Sequence, residues 1–215
     1  MPTSLDWWNT KHHKYASEDW IDKPSIFAQW SIKYFPKNGK ILELGAGHGQ
    51  DSRYFSENGY EVLSTDFSDS AIKFQEEKLP ESLKNKISIK KIDLSASLPL
   101  EDSSYDIIYS HLSAHYFNDA TTTKLFNEIY RVLKLGGIFV GLFNSINDSE
   151  YGTGTKLEQD YFELSPGDVK HFFSIGYVKE KTRQFKTIVL DDHGTTYKDN
   201  VKGNSNLIRF IGEKL

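Results

Sequence analysis

The chain of 215 residues contains no cysteine. Disulfides, thiolate metal sites and cysteine nucleophiles are excluded outright. The chain also lacks an 18-residue apolar stretch able to span a bilayer, and its opening residues, MPTSLDWWNTKHHK, have no apolar core of the kind a signal peptide needs. No membrane partner and a cytoplasmic location are therefore expected. No run of Lys or Arg is dense enough to follow a phosphate backbone: Lys84, Lys86, Lys90 and Lys91 are scattered, and the formal net charge of −4 works against nucleic acid as a partner. The length suits one sizeable core rather than two domains and a linker.

What is present centres on Lys40 to Asp66, KILELGAGHGQDSRYFSENGYEVLSTD. Ile41, Leu42 and Leu44 form the short apolar run of a buried parallel strand. Gly45, Gly47 and Gly49 follow at alternate positions, where the missing Cβ lets the chain turn sharply and lets a ligand touch the backbone. A helix begins around Arg53, Tyr54 and Phe55 and stops at Asn58-Gly59; a second strand, Tyr60 to Thr65, ends on Asp66. Strand, glycine turn, helix, strand and acid make half of a dinucleotide-binding-type fold, with the acid able to accept both hydroxyls of a ribose.

A nicotinamide site prefers G-x-G-x-x-G, whose third glycine leaves the helix N-terminus open to pyrophosphate. Gln50 stands in that place here. The string ELGAGHG, with an acid inside the strand and the third glycine one position early, resembles the first motif of class I S-adenosylmethionine-dependent methyltransferases. A glycine turn in some other α/β protein is the plain alternative. Farther along, YDIIYSHLSAHYF and RVLKLGGIFVGLF resemble later motifs of the same family. The resemblance implies an α/β fold, a Rossmann-like doubly wound sheet of five parallel strands plus two closing antiparallel ones. The ending, a fifth strand, a loop, a short helix and two strands, resembles the tellurite-resistance and thiopurine methyltransferase-like branch. The likeness is specific from Lys40 to Asn144 and topological elsewhere. One domain, 1–215, is expected: 1–36 an aromatic N-terminal cap, 37–146 the cofactor core, and 147–215 a substrate loop, short helix and closing strands.

All four tryptophans lie between Trp7 and Trp30. From Pro24 onward, Ile26, Phe27, Trp30, Ile32 and Tyr34 fit a helix with one apolar face. The part before Pro24 shows no clear period, yet it carries Trp7, Trp8, His12, His13, Tyr15 and Trp20 and must fold over something. A strap over a sheet edge and a lid over the site both satisfy that need. Ser68 is a natural N-cap for the next helix, and Lys86 to Ile92 a third strand. Tyr105 to Ser110 reads as a central strand, Thr121 to Leu133 as an amphipathic helix and Ile138 to Asn144 as a fifth strand. Residues 147–164 read as a polar loop. Ser165-Pro166-Gly167-Asp168 looks like a helix start, predicting a helix from Val169 to Phe173. Tyr177 to Leu190 and Asn206 to Gly212 are expected as the two last strands, joined by a polar turn region.

By the resemblance, the cofactor is S-adenosylmethionine, leaving as S-adenosylhomocysteine. Its expected contacts are Glu43, Gly45, Ala46, Gly47 and Gly49 at the turn, Asp66 on the ribose, Phe67, Asp93 and Leu94 around the adenine, and Ser110 near the methyl. Substrate-pocket candidates are Trp7, Tyr15, Trp20, Tyr116, Asn144 and Tyr151. His111 and His115 are the catalytic candidates, four apart and so on one face if that stretch is helical; His115 serves equally as a cap or core residue. No metal is expected, because this HxxxH lacks the Glu of a zincin and a third ligand. Members of the family that methylate a cytosine ring carbon or arsenite use cysteines, and those acting on exocyclic amines of DNA bases carry [DN]-P-P-[YF] where SHLS stands here. A small-molecule acceptor, methylated on O, N or S, is what remains. A non-catalytic nucleoside-binding or partner-binding module of the same fold is the first alternative, and a nicotinamide-dependent oxidoreductase the second.

Overall fold

The computed structural model describes residues 4–18, 20–197 and 206–215. The first half runs α1 (Leu5–Tyr15), α2 (Ile26–Ser31), β1 (Lys40–Leu44), α3 (Gln50–Glu57), β2 (Glu61–Asp66), α4 (Asp69–Lys78), β3 (Ile87–Lys91), β4 (Tyr105–His111) and α5 (Asp119–Val132). The second runs β5 (Leu133–Phe143), β6 (Thr155–Glu158), β7 (Tyr161–Ser165), β8 (Asp168–His171), α6 (Ile175–Lys181), β9 (Phe185–Gly194) and β10 (Leu207–Lys214).

Seven strands make one sheet in the order β3-β2-β1-β4-β5-β10-β9. The pairs from β3 to β5 are parallel, and β10 is antiparallel to both β5 and β9. Only β10 is therefore reversed; β9 points the same way as the first five strands, which corrects the expectation of two antiparallel closing strands. Otherwise this is the Rossmann-like doubly wound sheet that the resemblance implies.

Strand period dictates the two cores. On β4, Ile107 and Tyr109 face one layer with Phe27 and Phe55, while Ile108 faces the other with Leu125, Phe126 and Ile129 of α5. All three β4 residues are fully buried, as a central parallel strand requires. The order reverses between β1 and β4, so a crevice opens beyond their carboxyl ends. Register makes that edge level: Leu44 pairs with Thr65 on one side and Ser110 on the other. Among the described residues, no helix is long and apolar enough to cross a membrane.

Four stretches depart from the sequence expectations. The N-terminal segment is an 11-residue helix, N-capped by Ser4, whose hydroxyl accepts the Trp7 amide. Its pattern escaped notice because His12 is its only fully buried residue. Residues 147–164 are not simply loop, since β6, β7 and β8 form a small antiparallel sheet. The helix expected at Val169–Phe173 is strand β8: Ser165-Pro166-Gly167-Asp168 is a hairpin turn with proline second and Gly167 third at φ +80°, the pattern of a type II turn. The short helix lies later, capped by Ser174, and takes Tyr177 out of the expected strand. The polar turn expected before Asn206 falls mostly outside the described residues.

Candidate functional site

Beyond β1 the backbone enters the left-handed region at Gly45, Gly47 and Gly49, with φ of +67°, +55° and +72°. A Cβ on Gly45 would sit 2.4 Å from Cβ of Ser113, and one on Gly47 would sit 3.3 Å from the His12 ring. Three amides of this turn are already engaged: Ala46 donates to the Thr65 carbonyl at 2.7 Å, Gly47 to Asp66 at 2.8 Å and Gly49 to the Ala46 carbonyl at 2.9 Å. A phosphate cradle needs such amides pointing outward.

Carboxylates stand behind the turn. Asp51, in the first turn of α3, accepts from the Ser25 amide at 2.6 Å, the Ser25 hydroxyl at 2.7 Å and the Tyr109 hydroxyl at 2.8 Å. Glu43 is buried and accepts from Ser52. Burial, then the neighbouring Asp51 charge, holds the Glu43 carboxyl well above its ordinary range. The surroundings favour a cation and oppose pyrophosphate.

Asp66 closes the next strand. Its Oδ2 takes the Gly47 amide and its Oδ1 the Ser68 amide at 2.9 Å, leaving lone pairs for further donors. Burial pushes this carboxyl upward against the pull of those amides. Phe67 follows, half-buried, and Leu94 is buried beside it on the cavity wall. Asp93 accepts both the amide and hydroxyl of Ser95, at 2.8 and 2.7 Å.

At the end of β4 the chain turns through Leu112 at φ +55°, so His111 and His115 do not share a helical face. His115 is 1 % exposed. Its Nδ1 accepts the Asn144 amide at 3.4 Å, which leaves the ring proton on Nε2. Burial, and then the Lys170 charge, hold its pKa well below the usual value, so the ring is neutral and its Nε2 is a donor.

One cavity of about 940 Å³ joins these parts. That volume lies near the upper end of the range for ligand pockets, roughly 300–1,000 Å³. Helix α1 crosses it. Asn9, midway along the helix, accepts the Ser68 hydroxyl at 2.7 Å, and at its N-terminus the Ser4 amide donates to the Gly167 carbonyl at 3.3 Å. Trp8, His12 and Tyr15, spaced for one helical face, line the cavity; Trp8 meets Tyr116 edge-on at 4.7 Å.

Gly45, Ala46, Gly47, Asp66, Phe67, Asp93, Leu94, His111, His115, Tyr15, Trp20, Tyr116 and Asn144 all line this cavity, so most of the residues singled out from sequence are brought together. The others are not. Glu43 and Ser110 are buried beneath the turn, with the Ser110 hydroxyl 2.8 Å from that of Ser113, and Gly49 packs on Gln75. Trp7 faces a smaller cleft on the outer side of α1, and Tyr151 bonds to Asp160. Trp8 and His12, expected in a strap or lid, line the cavity from one face of α1, a helix their four-residue spacing could have signalled; Lys11, Glu150 and Lys170 were missed and carried no local signal.

Residues 42–141 match the family described as "Methyltransferase domain". The chain is 38 % identical over 114 residues to phosphoethanolamine N-methyltransferase 1 of Triticum aestivum, covering 51 % of this chain and 23 % of that protein. It spans less than half the length of the curated relatives it matches. Among solved structures, 1,6-didemethyltoxoflavin-N1-methyltransferase of Burkholderia thailandensis, with bound 1,6-didemethyltoxoflavin and S-adenosylhomocysteine, superposes with a TM-score of 0.77 at 14 % identity, over 98 % of this chain and 86 % of that one. TehB from Haemophilus influenzae gives 0.64 at 20 % identity over 98 % and 67 %. At such identities the likeness concerns the fold.

Proposed function

We propose, from the match of residues 42–141 to a methyltransferase domain, that the chain is a class I S-adenosylmethionine-dependent methyltransferase that moves the methyl group of its cofactor to a small-molecule acceptor. The observation that carries the reading is the chemistry of the glycine turn. Its engaged amides and the acids behind it suit a cationic nucleoside without phosphate and disfavour a dinucleotide.

In this reading Gly45, Ala46 and Gly47 hold the methionyl part and Asp66 accepts the ribose hydroxyls. Phe67 and Leu94 flank the adenine, with Asp93 at its amine. S-adenosylmethionine, when bound, supplies a methyl group already activated by its sulfonium. What remains for the protein is to hold the acceptor in line and exclude water, and α1 with Trp8, Tyr15 and Tyr116 serves both needs. His115 acts by donating a hydrogen bond, so His111 is left as the candidate base. Two of the similar proteins above are named N-methyltransferases, which favours nitrogen as the accepting atom. The whole chain works as one domain, 37–146 holding the cofactor and the flanking segments the acceptor.

Calorimetric titration with S-adenosylmethionine, S-adenosylhomocysteine and NADH tests the reading. The first two should bind and NADH should not; the reverse pattern would sink it. Incubation with labelled S-adenosylmethionine and a metabolite extract then separates an enzyme from a silent binding module, since only an enzyme labels a product.

A further inference from the structure

The acceptor end of the cavity holds hydrogen-bond donors that methyl transfer itself leaves without a task. Lys170 lies on β8, where the next residue's amide donates to the His115 carbonyl at 2.8 Å, and it lines the cavity together with His115, on which its charge acts. Its side chain is 14 % exposed and bonds to Glu150 at 2.5 Å, while the Glu150 side chain is 46 % exposed and well hydrated. An ammonium has three protons, so one hydrated carboxylate does not satisfy it. His115 adds its Nε2 proton. Lys11 lines the same wall, as do Tyr15 and Tyr116, whose phenols burial keeps protonated. Asp168, the other nearby acid, lines the cleft on the outer side of α1, and its charge also reaches Lys170 and Lys11. A half-enclosed wall of donors is complementary to an oxyanion.

Resting on the methyl-transfer reading above, we propose that Lys170 and His115 form an anion subsite and that the methyl acceptor carries a carboxylate or phosphate group seated on it. Trp8 and Tyr116 flank the remainder of the molecule. The accepting atom and the acidic group are then distinct parts of one small metabolite.

Trp8 and Trp20 line the cavity, so tryptophan emission reports its occupancy. Protein saturated with S-adenosylhomocysteine, which fills the nucleoside's own carboxylate site, is titrated with acetate, inorganic phosphate and neutral acetamide. At least one anion should bind saturably, acetate marking a carboxylic acceptor and phosphate a phosphorylated one, and acetamide should not. Lys170→Met should raise the anion Kd about ten-fold or more, as expected for losing a charge-assisted hydrogen bond, and Lys170→Arg should restore it. Failure of both anions to bind, equal binding of acetamide, or unchanged affinity in Lys170→Met would overturn the subsite. The comparison of anions with acetamide needs no variant, so it stands even where Lys170→Met does not fold. S-adenosylhomocysteine binding without anion binding sinks this inference alone; no S-adenosylhomocysteine binding sinks both.

Discussion

The Gly47 amide donates to the Asp66 carboxylate at 2.8 Å, fastening the end of β2 to the turn that follows β1. The same carboxylate takes the Ser68 amide, so it orders both the turn and the start of α4 while keeping lone pairs for a ligand. Asp66→Ala should weaken S-adenosylhomocysteine binding about ten- to a hundred-fold, the loss of a charged hydrogen bond worth about 1.5–3 kcal/mol. Isothermal calorimetry measures it, and an unaltered Kd removes Asp66 from the ribose.

Gly45 and Gly59 both have positive φ, at +67° and +98°, but a Cβ at Gly59 meets nothing within 4 Å. Gly59→Ala should cost only backbone strain, about 1–2 kcal/mol. Gly45→Ala adds the contact with Ser113 and should cost about 1–3 kcal/mol more. Urea denaturation of the two variants gives the difference, and Ser113→Gly should recover part of it in the Gly45→Ala background.

Glu43 has its folded pKa raised well above 4.5 by burial and by Asp51. A raised carboxyl stabilises the fold while protonated, so its contribution is complete below the unfolded value and is lost as pH climbs through the folded one. Glu43→Gln, which keeps an oxygen for Ser52, should flatten the decline in unfolding free energy that begins as pH rises past 4.5. Denaturation curves from pH 4.5 upward would disprove the burial account if wild type and variant stayed parallel.

His48 shows the opposite sign. Its pKa is pushed down from 6.5 to about 4 by burial, with the adjacent His12 adding to the effect. The neutral ring is favoured in the fold, so stability is complete above the unfolded value and falls as pH drops from 6.5 through about 4, by at most about 3 kcal/mol. His48→Phe, stacked on Phe74 as the imidazole is at 4.0 Å, should lose less stability on acidification. Thermal melts between pH 7 and 4 compare the two.

The parts of the chain legible from sequence are those where local chemistry and tertiary role agree. Strands β1, β2 and β4 announce themselves by apolar runs, and the turn by glycines at positions that need positive φ. Ser165 to Asp168 misled because serine, proline and an acid suit a helix start as well as a hairpin, and only pairing of β7 with β8 decides between them. The face formed by Trp8, His12 and Tyr15 was hard to see because it points into a polar cavity rather than an apolar core. Lys170 had no local signal at all. Its meaning comes from lying on β8 next to a residue bonded to His115, 55 positions away in the chain.

Helix α1 is anchored at the cavity at two points about 7.5 Å apart along its axis, Asn9 on Ser68 and Ser4 on Gly167. On the proposed reading each anchor adjoins a different reactant: Ser68 follows Asp66 and Phe67, and Gly167 lies in the hairpin that bears Lys170. If both reactants sit as proposed, one rod touches the berths of both. Arrival of the first should make the berth for the second firmer, so the two would be taken up in a preferred order.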